Sequence, residues 1–140
     1  MSHYSHAGGV VARLGPTRAQ NGAYVWQSLI QTGAIVANGT DVPVERIDPM
    51  ASFHATVTRK TKDGSVFYGD QRMTRAQALK SYTWNGAYAA REESLKGSLA
   101  PGKLADITVL SKDIMTIAED EIPTTQVVYT IVGGKVAYSK

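Results

Sequence analysis

The apolar positions of this chain change their period near residue 33. Between residues 17 and 32 they recur at three-and-four spacing, which predicts one face of a helix. These positions are Ala19, Ala23, Trp26, Leu29 and Ile30. Gly33 follows where a helix C-terminal cap is expected, and the four apolar residues at 34–37 come next. A short apolar run of this kind predicts a buried strand.

Capping signals predict further helices. Asp48 and Pro49 have the residue types of an N-cap and a first helical position, so a helix is expected to run from there to about residue 59. Thr74 and Gln77 have the spacing of a capping box, which predicts a second helix. A short helix is expected over about 86–91, whereas residues 1–12 show no clear periodicity.

The last third of the chain changes character at Lys96-Gly97. Residues 104–110 have the composition of a strand, and residues 126–132 are rich in β-branched side chains. Gly133-Gly134 and a further apolar stretch follow, which predicts a hairpin with a primed turn. The fold class expected is α/β, with helices in the first two-thirds and strands in the last third.

Composition narrows the class of protein. The chain has 140 residues, enough for one domain, and 43% of them are hydrophobic, which argues against disorder. Without cysteines it has no disulfides or thiolate metal sites, and a cytoplasmic location is expected. No apolar run is long enough to predict a membrane span. The net charge is +3, and the basic cluster at 59–62 is expected to be a solvated turn, so nucleic acid is not an expected partner.

Asp41 is the leading candidate for chemistry. It follows the predicted strand 34–37 in the sequence Asn38-Gly39-Thr40-Asp41. In a parallel α/β barrel, a polar residue at the C-terminal end of a strand faces the active site. Asp41 is therefore a candidate catalytic or metal-binding residue, although an Asp before Val-Pro can also stabilise a turn. One carboxylate alone makes neither a metal site nor an acid–base pair.

Several motifs, taken in order, resemble the C-terminal part of the amidohydrolase superfamily, close to amidohydrolase family 3 (YtcJ-like). The most specific is Gly-Ser-Leu-x-Pro-Gly-Lys-x-Ala-Asp at 97–106. The others are Arg-Leu-Gly-Pro at 13–16, Gly-Ala-Tyr-Val-Trp at 22–26, Asn-Gly-Thr-Asp-Val-Pro-Val at 38–44, Asp-Pro at 48–49, Val-Thr-Arg at 57–59, Ala-Leu at 78–79, Tyr-Thr at 82–83, Val-Tyr-Thr at 128–130 and Gly-Gly-Lys-Val at 133–136.

The resemblance implies a fold and an activity. It implies a (β/α)₈ TIM barrel with a small composite β-sandwich built from both chain ends. Residues 1–95 would supply the last barrel strand and its flanking helices, and residues 96–140 the C-terminal strands of the sandwich. Members of the family hydrolyse non-peptide carbon–nitrogen or related bonds with metal-activated water. Asp41 matches the Asp that ends barrel strand 8 and that binds metal or takes the proton from the attacking water.

The other metal ligands of the family are not found in this chain. They are a His-x-His pair, a carboxylated lysine or Glu, and two further histidines. A divalent metal, zinc in the first place, would therefore need ligands from outside the chain. His6 falls near the end of barrel strand 7 and is a candidate substrate-facing residue or a terminal histidine. No role is assigned to His3, and His54 is expected to be structural.

Three functions follow from these observations. The first is a metal-dependent amidohydrolase acting on a small molecule, represented by a C-terminal segment that alone is inactive and either oligomeric or poorly folded. The second is a non-catalytic subunit that completes a split barrel with a partner chain. The third is a free-standing β-rich binding module at 97–140. The expected protein partners are a second copy or the missing N-terminal part, and no membrane is expected.

Overall fold

The structure is a computed structural model that describes residues 2–140 and, from residue 4 onward, their side chains. Its elements follow in chain order. They are helices α1 (Ser2–Leu14), α2 (Pro16–Gly22), α3 (Trp26–Gln31), α4 (Pro49–Thr58), α5 (Arg75–Tyr82) and α6 (Trp84–Ala89), strands β1 (Ile107–Leu110), β2 (Val127–Val132) and β3 (Lys135–Ser139), and two 3₁₀ helices, Gly69–Gln71 and Glu119–Thr124. None of the helices in the described residues is long and apolar enough to cross a membrane.

The N-terminal region differs from the sequence prediction. Residues 2–14 form helix α1, although no periodicity predicted it. The single helix expected over 17–32 is two helices, because Ala23 ends α2 in an extended conformation and Tyr24 has a φ of 54°. A left-handed residue cannot continue a right-handed helix. Helix α1 packs on α2 through a small core of Ala7, Ala19, Ala23 and Phe67.

The capped helices form as predicted. The Asp48 side chain accepts a hydrogen bond from the Ala51 N–H at 3.0 Å, and Pro49 occupies the first turn of α4. Thr74 and Gln77 make both bonds of the capping box at the start of α5. Each cap pairs N–H groups that have no partner inside the helix. The helix predicted at 86–91 begins two residues earlier, as α6.

The main core lies between α4, α5 and the chain that follows β1. Its buried members are Phe53, Val57, Met73, Ala78, Ile114 and Ile122. Partly buried side chains pack against it, among them Trp26, Ile30 and Val36. Helices α3, α4 and α5 and the segment that precedes Asp41 therefore pack on one apolar cluster.

The strands form one antiparallel sheet in the order β1-β2-β3. Thr130 of β2 pairs with Thr108 of β1 on one side and with Tyr138 of β3 on the other. The predicted hairpin is confirmed, because Gly133 and Gly134 both have positive φ, at 55° and 79°, as the primed turn requires.

The predicted buried strand at 34–37 is not formed. These residues have no regular secondary structure and no strand partner within residues 2–140, and the Ile35 side chain is 45% exposed. A strand satisfies its backbone through a neighbour, and the only described sheet lies elsewhere, at the C-terminal end. The apolar composition of the segment is therefore not sufficient to make it a strand in the described residues.

The basic cluster at 59–62 is also different from its prediction. Arg59 is completely buried and has a φ of 60° at the end of α4. Its Nε donates to the Phe67 carbonyl at 2.9 Å and its Nη1 to the Tyr24 carbonyl at 3.0 Å. Burial lowers the pKa of Arg59 to about 10, a value at which it stays charged at neutral pH. Arg59 is thus a structural cation that joins the end of α4 to the loops at Tyr24 and Phe67, rather than part of a solvated turn.

Candidate functional site

Asp41 begins a tight turn directly after the segment 34–40. It has a φ of 56°, and its carbonyl accepts a hydrogen bond from the Val44 N–H at 2.8 Å. Asp and Asn enter the left-handed region more readily than other side chains, yet the conformation remains uncommon. The residue is exposed, so its carboxylate is accessible to a ligand. A left-handed residue with an accessible carboxylate is a reasonable basis for a functional hypothesis.

The segment before Asp41 is held by hydrogen bonds to three helices. Asn38 donates from its backbone N–H to the Ser81 carbonyl at 3.0 Å and from Nδ2 to Thr56 Oγ1 at 2.9 Å. Asn85 donates from Nδ2 to the Val36 carbonyl at 2.8 Å. The segment is therefore attached to α4, α5 and α6 even though it belongs to none of them.

His6 lies on α1 and contacts the loop that follows Asp41. Its Nδ1 is 3.8 Å from Glu45 Oε1, and Ser5 Oγ donates to Glu45 Oε2 at 2.9 Å. Glu45 is buried, whereas the His6 side chain is about half exposed. Glu45 follows Asp41 by four residues in the chain, so the structure brings His6 to the Asp41 loop through Glu45. The side chain of His3 lies outside what the structure describes.

His54 has a different environment. It lies on α4 with its side chain largely buried, and its Nε2 is 3.9 Å from Asp120 Oδ1 in the 3₁₀ helix Glu119–Thr124. Burial, and secondly the positive charge of Lys60, lower the pKa of His54, although Asp120 and Glu119 act in the opposite direction. His54 is placed where two elements pack, which agrees with a structural role.

The described residues do not make a complete metal site by themselves. No group of three His, Asp or Glu side chains from this part of the chain is arranged to hold a metal ion. Asp41 can offer one carboxylate oxygen ligand, which suits zinc and other divalent ions. A metal would thus need most of its ligands from outside these residues, as the sequence also indicates.

Sequence reasoning missed Glu45 and the two asparagines. Glu45 is separated from Ser5 by 40 positions, and Asn85 from Val36 by 49. No local pattern connects residues so far apart. The sequence offers one signal for them: Glu45 and Asn38 are polar residues beside short apolar runs. A polar side chain that is buried there needs a hydrogen-bond partner.

The comparisons with known proteins define the class. The model of the Amidohydrolase family matches residues 1–138, so the chain belongs to the amidohydrolase family. The predicted resemblance is confirmed.

Individual relatives agree with this membership. The chain is 31% identical over 134 residues to the candidate amidohydrolase YtcJ of Bacillus subtilis, covering 94% of this chain and 25% of that protein. It is 32% identical over 114 residues to the N-substituted formamide deformylase of Arthrobacter pascens, covering 81% of this chain and 21% of that enzyme. The chain therefore spans about a quarter of the length of these relatives.

A solved structure supports the fold. The crystal structure of an amidohydrolase from Thermotoga maritima superposes with a TM-score of 0.64, covering 84% of this chain and 26% of that one. The two share 19% sequence identity, so this likeness concerns the fold alone.

Proposed function

We propose that this chain is the C-terminal segment of a metal-dependent amidohydrolase that acts on non-peptide carbon–nitrogen bonds of a small molecule. The observation that carries the proposal is the position of Asp41 after the apolar run 34–37, in a chain that belongs to the amidohydrolase family. The chain spans about a quarter of its relatives. The remaining ligands and substrate contacts would come from the part of the enzyme outside these residues, and residues 1–140 alone would be inactive.

The segment 34–40 is proposed to be the last strand of a (β/α)₈ TIM barrel. From residue 35 to residue 40 its exposure alternates: 35, 37 and 39 are exposed, while 36, 38 and 40 are partly buried. This period of two is that of a strand with one face against helices. Residues 1–95 would then form the last part of the barrel, and residues 96–140 would contribute β1–β3 to a composite β-sandwich.

In this proposal the Asp41 carboxylate is the general base. It would accept a proton from the attacking water and later return it to the leaving nitrogen, the two proton transfers that hydrolysis of a carbon–nitrogen bond requires. A divalent ion, zinc in the first place, would lower the pKa of the attacking water. The described residues lack a full ligand set, so Asp41 would contribute one ligand at most. His6, on the Glu45 side of the same loop, is proposed to face substrate.

The test starts from the DNA upstream of the Met1 codon and uses the full product of that reading frame. With zinc supplied, we expect turnover of N-substituted amides or formamides, and we expect Asp41→Asn to lower kcat by about 100-fold or more while KM changes little. Asp120→Asn is the matched control, because Asp120 is an exposed carboxylate beside Lys60. Wild-type turnover in Asp41→Asn would refute the role of Asp41.

One set of exposed side chains favours a second function. Ile35, Val42, Val44 and Ile47 are all exposed around the Asp41 turn. Apolar side chains grouped in this way mark a surface that another part of a protein covers. If the reading frame encodes residues 1–140 alone, we propose that the chain completes a split barrel with a partner chain. Co-expression with an upstream amidohydrolase segment should then yield a soluble complex. Two chains that remain insoluble when they are co-expressed would argue against this function.

A further inference from the structure

Groups from three helices pair with the segment 36–40. In the described residues the segment has no strand partner. The Asn85 side chain donates to the Val36 carbonyl, and the Asn38 side chain donates to Thr56 Oγ1. The Val36 carbonyl is paired by Asn85, and the Asn38 N–H by Ser81. These two groups would be costly to bury unpaired.

The surface that receives Asn38 is a polar seam inside the helical region. Ser52, Thr56 and Ser81 are all buried. Thr56 Oγ1 accepts from Asn38 and donates to the Ser52 carbonyl at 2.9 Å, and the Tyr82 hydroxyl donates to Ser52 Oγ. An apolar side chain placed against this seam would leave Thr56 without its bond to the segment. Asn38 thus selects one register, because a shift by one residue would bring Ala37 or Gly39 to the seam.

Asn85 is fixed by its surroundings. Its Oδ1 is buried and accepts no hydrogen bond from the residues that the structure describes, while its Nδ2 is paired with Val36. Rotating the amide by half a turn would place two oxygen acceptors against each other, so only one orientation is favourable. Asn85 is thus held as a donor to the segment that leads to Asp41.

Helix α6, which carries Asn85, is itself fixed by the family-specific motif at 97–106. Gly97 has a φ of 88°, and a Cβ there would lie 2.7 Å from Ala87 Cβ and 3.0 Å from Trp84 Cα. Only glycine allows this approach. Lys103 Nζ donates to Ser98 Oγ at 2.8 Å and to the Glu93 carbonyl, which closes the loop around Gly97. The motif therefore acts on the Asp41 segment through α6.

We propose that Asn38 and Asn85 are positioning residues, which fix the register of residues 36–40 and thereby the place of the Asp41 carboxylate. The proposal rests on the function proposed above for Asp41. Neither side chain needs to touch substrate or metal, because each acts on the backbone before the turn. The motif at 97–106 has the related role of holding α6 against that backbone.

The experiment compares Asn85→Asp with Asn21→Asp in the full product of the reading frame. Aspartate has the shape of asparagine but, when ionised, cannot donate to Val36. Asn21 is the matched control, because it also precedes a glycine on a helix but is exposed. Hydrogen exchange followed by mass spectrometry reports on residues 34–44, on α5 and on β2 separately. Zinc affinity is measured in parallel.

We expect Asn85→Asp to raise the exchange rate of residues 34–44 at least tenfold and to weaken zinc binding about tenfold, with α5 and β2 unchanged. Asn38→Ala should raise the exchange rate and weaken zinc binding by similar factors. This second variant introduces no buried carboxylate, so it keeps the test valid if Asn85→Asp fails to fold. Faster exchange spread equally over α5 and β2 would indicate a merely structural role and overturn the proposal. Exchange in 34–44 equal to that of Asn21→Asp would also overturn it.

The two proposals fail in different ways. If the unchanged protein binds no zinc and Asp41→Asn has no effect on turnover, the proposed function is wrong. The exchange of residues 34–44 still decides whether Asn38 and Asn85 fix the segment. If zinc binds and Asp41 matters but exchange and affinity do not respond to Asn85→Asp, only the positioning proposal is wrong.

Discussion

Helix α4 and the segment 34–40 are neighbours in the chain and stabilised in opposite ways. Helix α4 satisfies its backbone internally, starts on the Asp48 cap and buries Phe53 in the main core. The segment 34–40 is as apolar, but it depends on Asn38 and Asn85 and leaves Ile35 exposed. The backbone groups of a helix pair within the helix, whereas those of a strand need partners from another segment. Helix α4 therefore depends little on other elements for its backbone pairing, whereas the segment 34–40 depends on α4, α5 and α6.

The largest effects should come from the apolar residues of these two regions. In the full product of the reading frame, Phe53→Ala should lower the free energy of unfolding by about 3–5 kcal/mol, because it empties the main core. Ile35→Ala should cost about 2–4 kcal/mol there, because the proposed neighbouring strands would cover Ile35. Urea unfolding measures both. A cost below about 0.5 kcal/mol for Ile35→Ala, typical of a surface site, would show that no strand covers the segment.

A smaller effect is expected at the contact between Gly97 and α6. Gly97→Ala should cost about 2–3 kcal/mol, since it combines left-handed strain with a clash against Ala87. Gly102→Ala is the matched control: Gly102 has a φ of 86° but open space around its Cα, so only the strain of about 1 kcal/mol should remain. Thermal and urea unfolding give the difference. Equal costs at the two glycines would mean that the close approach to α6 contributes nothing.

The smallest expected effect is the pH dependence of stability that His54 of α4 causes. The folded protein disfavours protonated His54, whose pKa lies below the ordinary value of 6.5, chiefly because of burial. The unfolded chain therefore takes up this proton first, so stability is highest above pH 6.5 and falls as the pH decreases through that value. His54→Gln should reduce the loss of stability between pH 7.5 and pH 5.5, measured by urea unfolding. A larger loss in the variant would mean that the attraction of Asp120 outweighs burial.

Local signals account for what the sequence predicted well. The Asp48-Pro49 start, the Thr74–Gln77 capping box and the Gly133-Gly134 turn each lie within a few residues, and all three form. Helix α1 was missed although Tyr4, Ala7, Val11 and Leu14 have helical spacing, because Gly8 and Gly9 weaken the pattern.

Long-range relations account for what was not predicted. The burial of Arg59 depends on carbonyls at Tyr24 and Phe67, and the contact of His6 depends on Glu45. Asp41 could be singled out because its place after an apolar run is a local feature. The groups that hold its segment could not, because they come from α4 to α6, and only the folded chain brings them to it.

The bond between Asn85 and Val36 also has a consequence for the order of assembly during synthesis. It closes a loop of 49 positions, and a ribosome releases Asp41 well before Asn85. A loop of this length closes after the local helices have formed, because its closure costs chain entropy. The bond from Asn38 to Thr56 can form once α4 has emerged, whereas the Val36 carbonyl gains its partner only after residue 85 has emerged. The hydrogen bonds that hold the segment before Asp41 are therefore completed in the order of the helices, from α4 to α6.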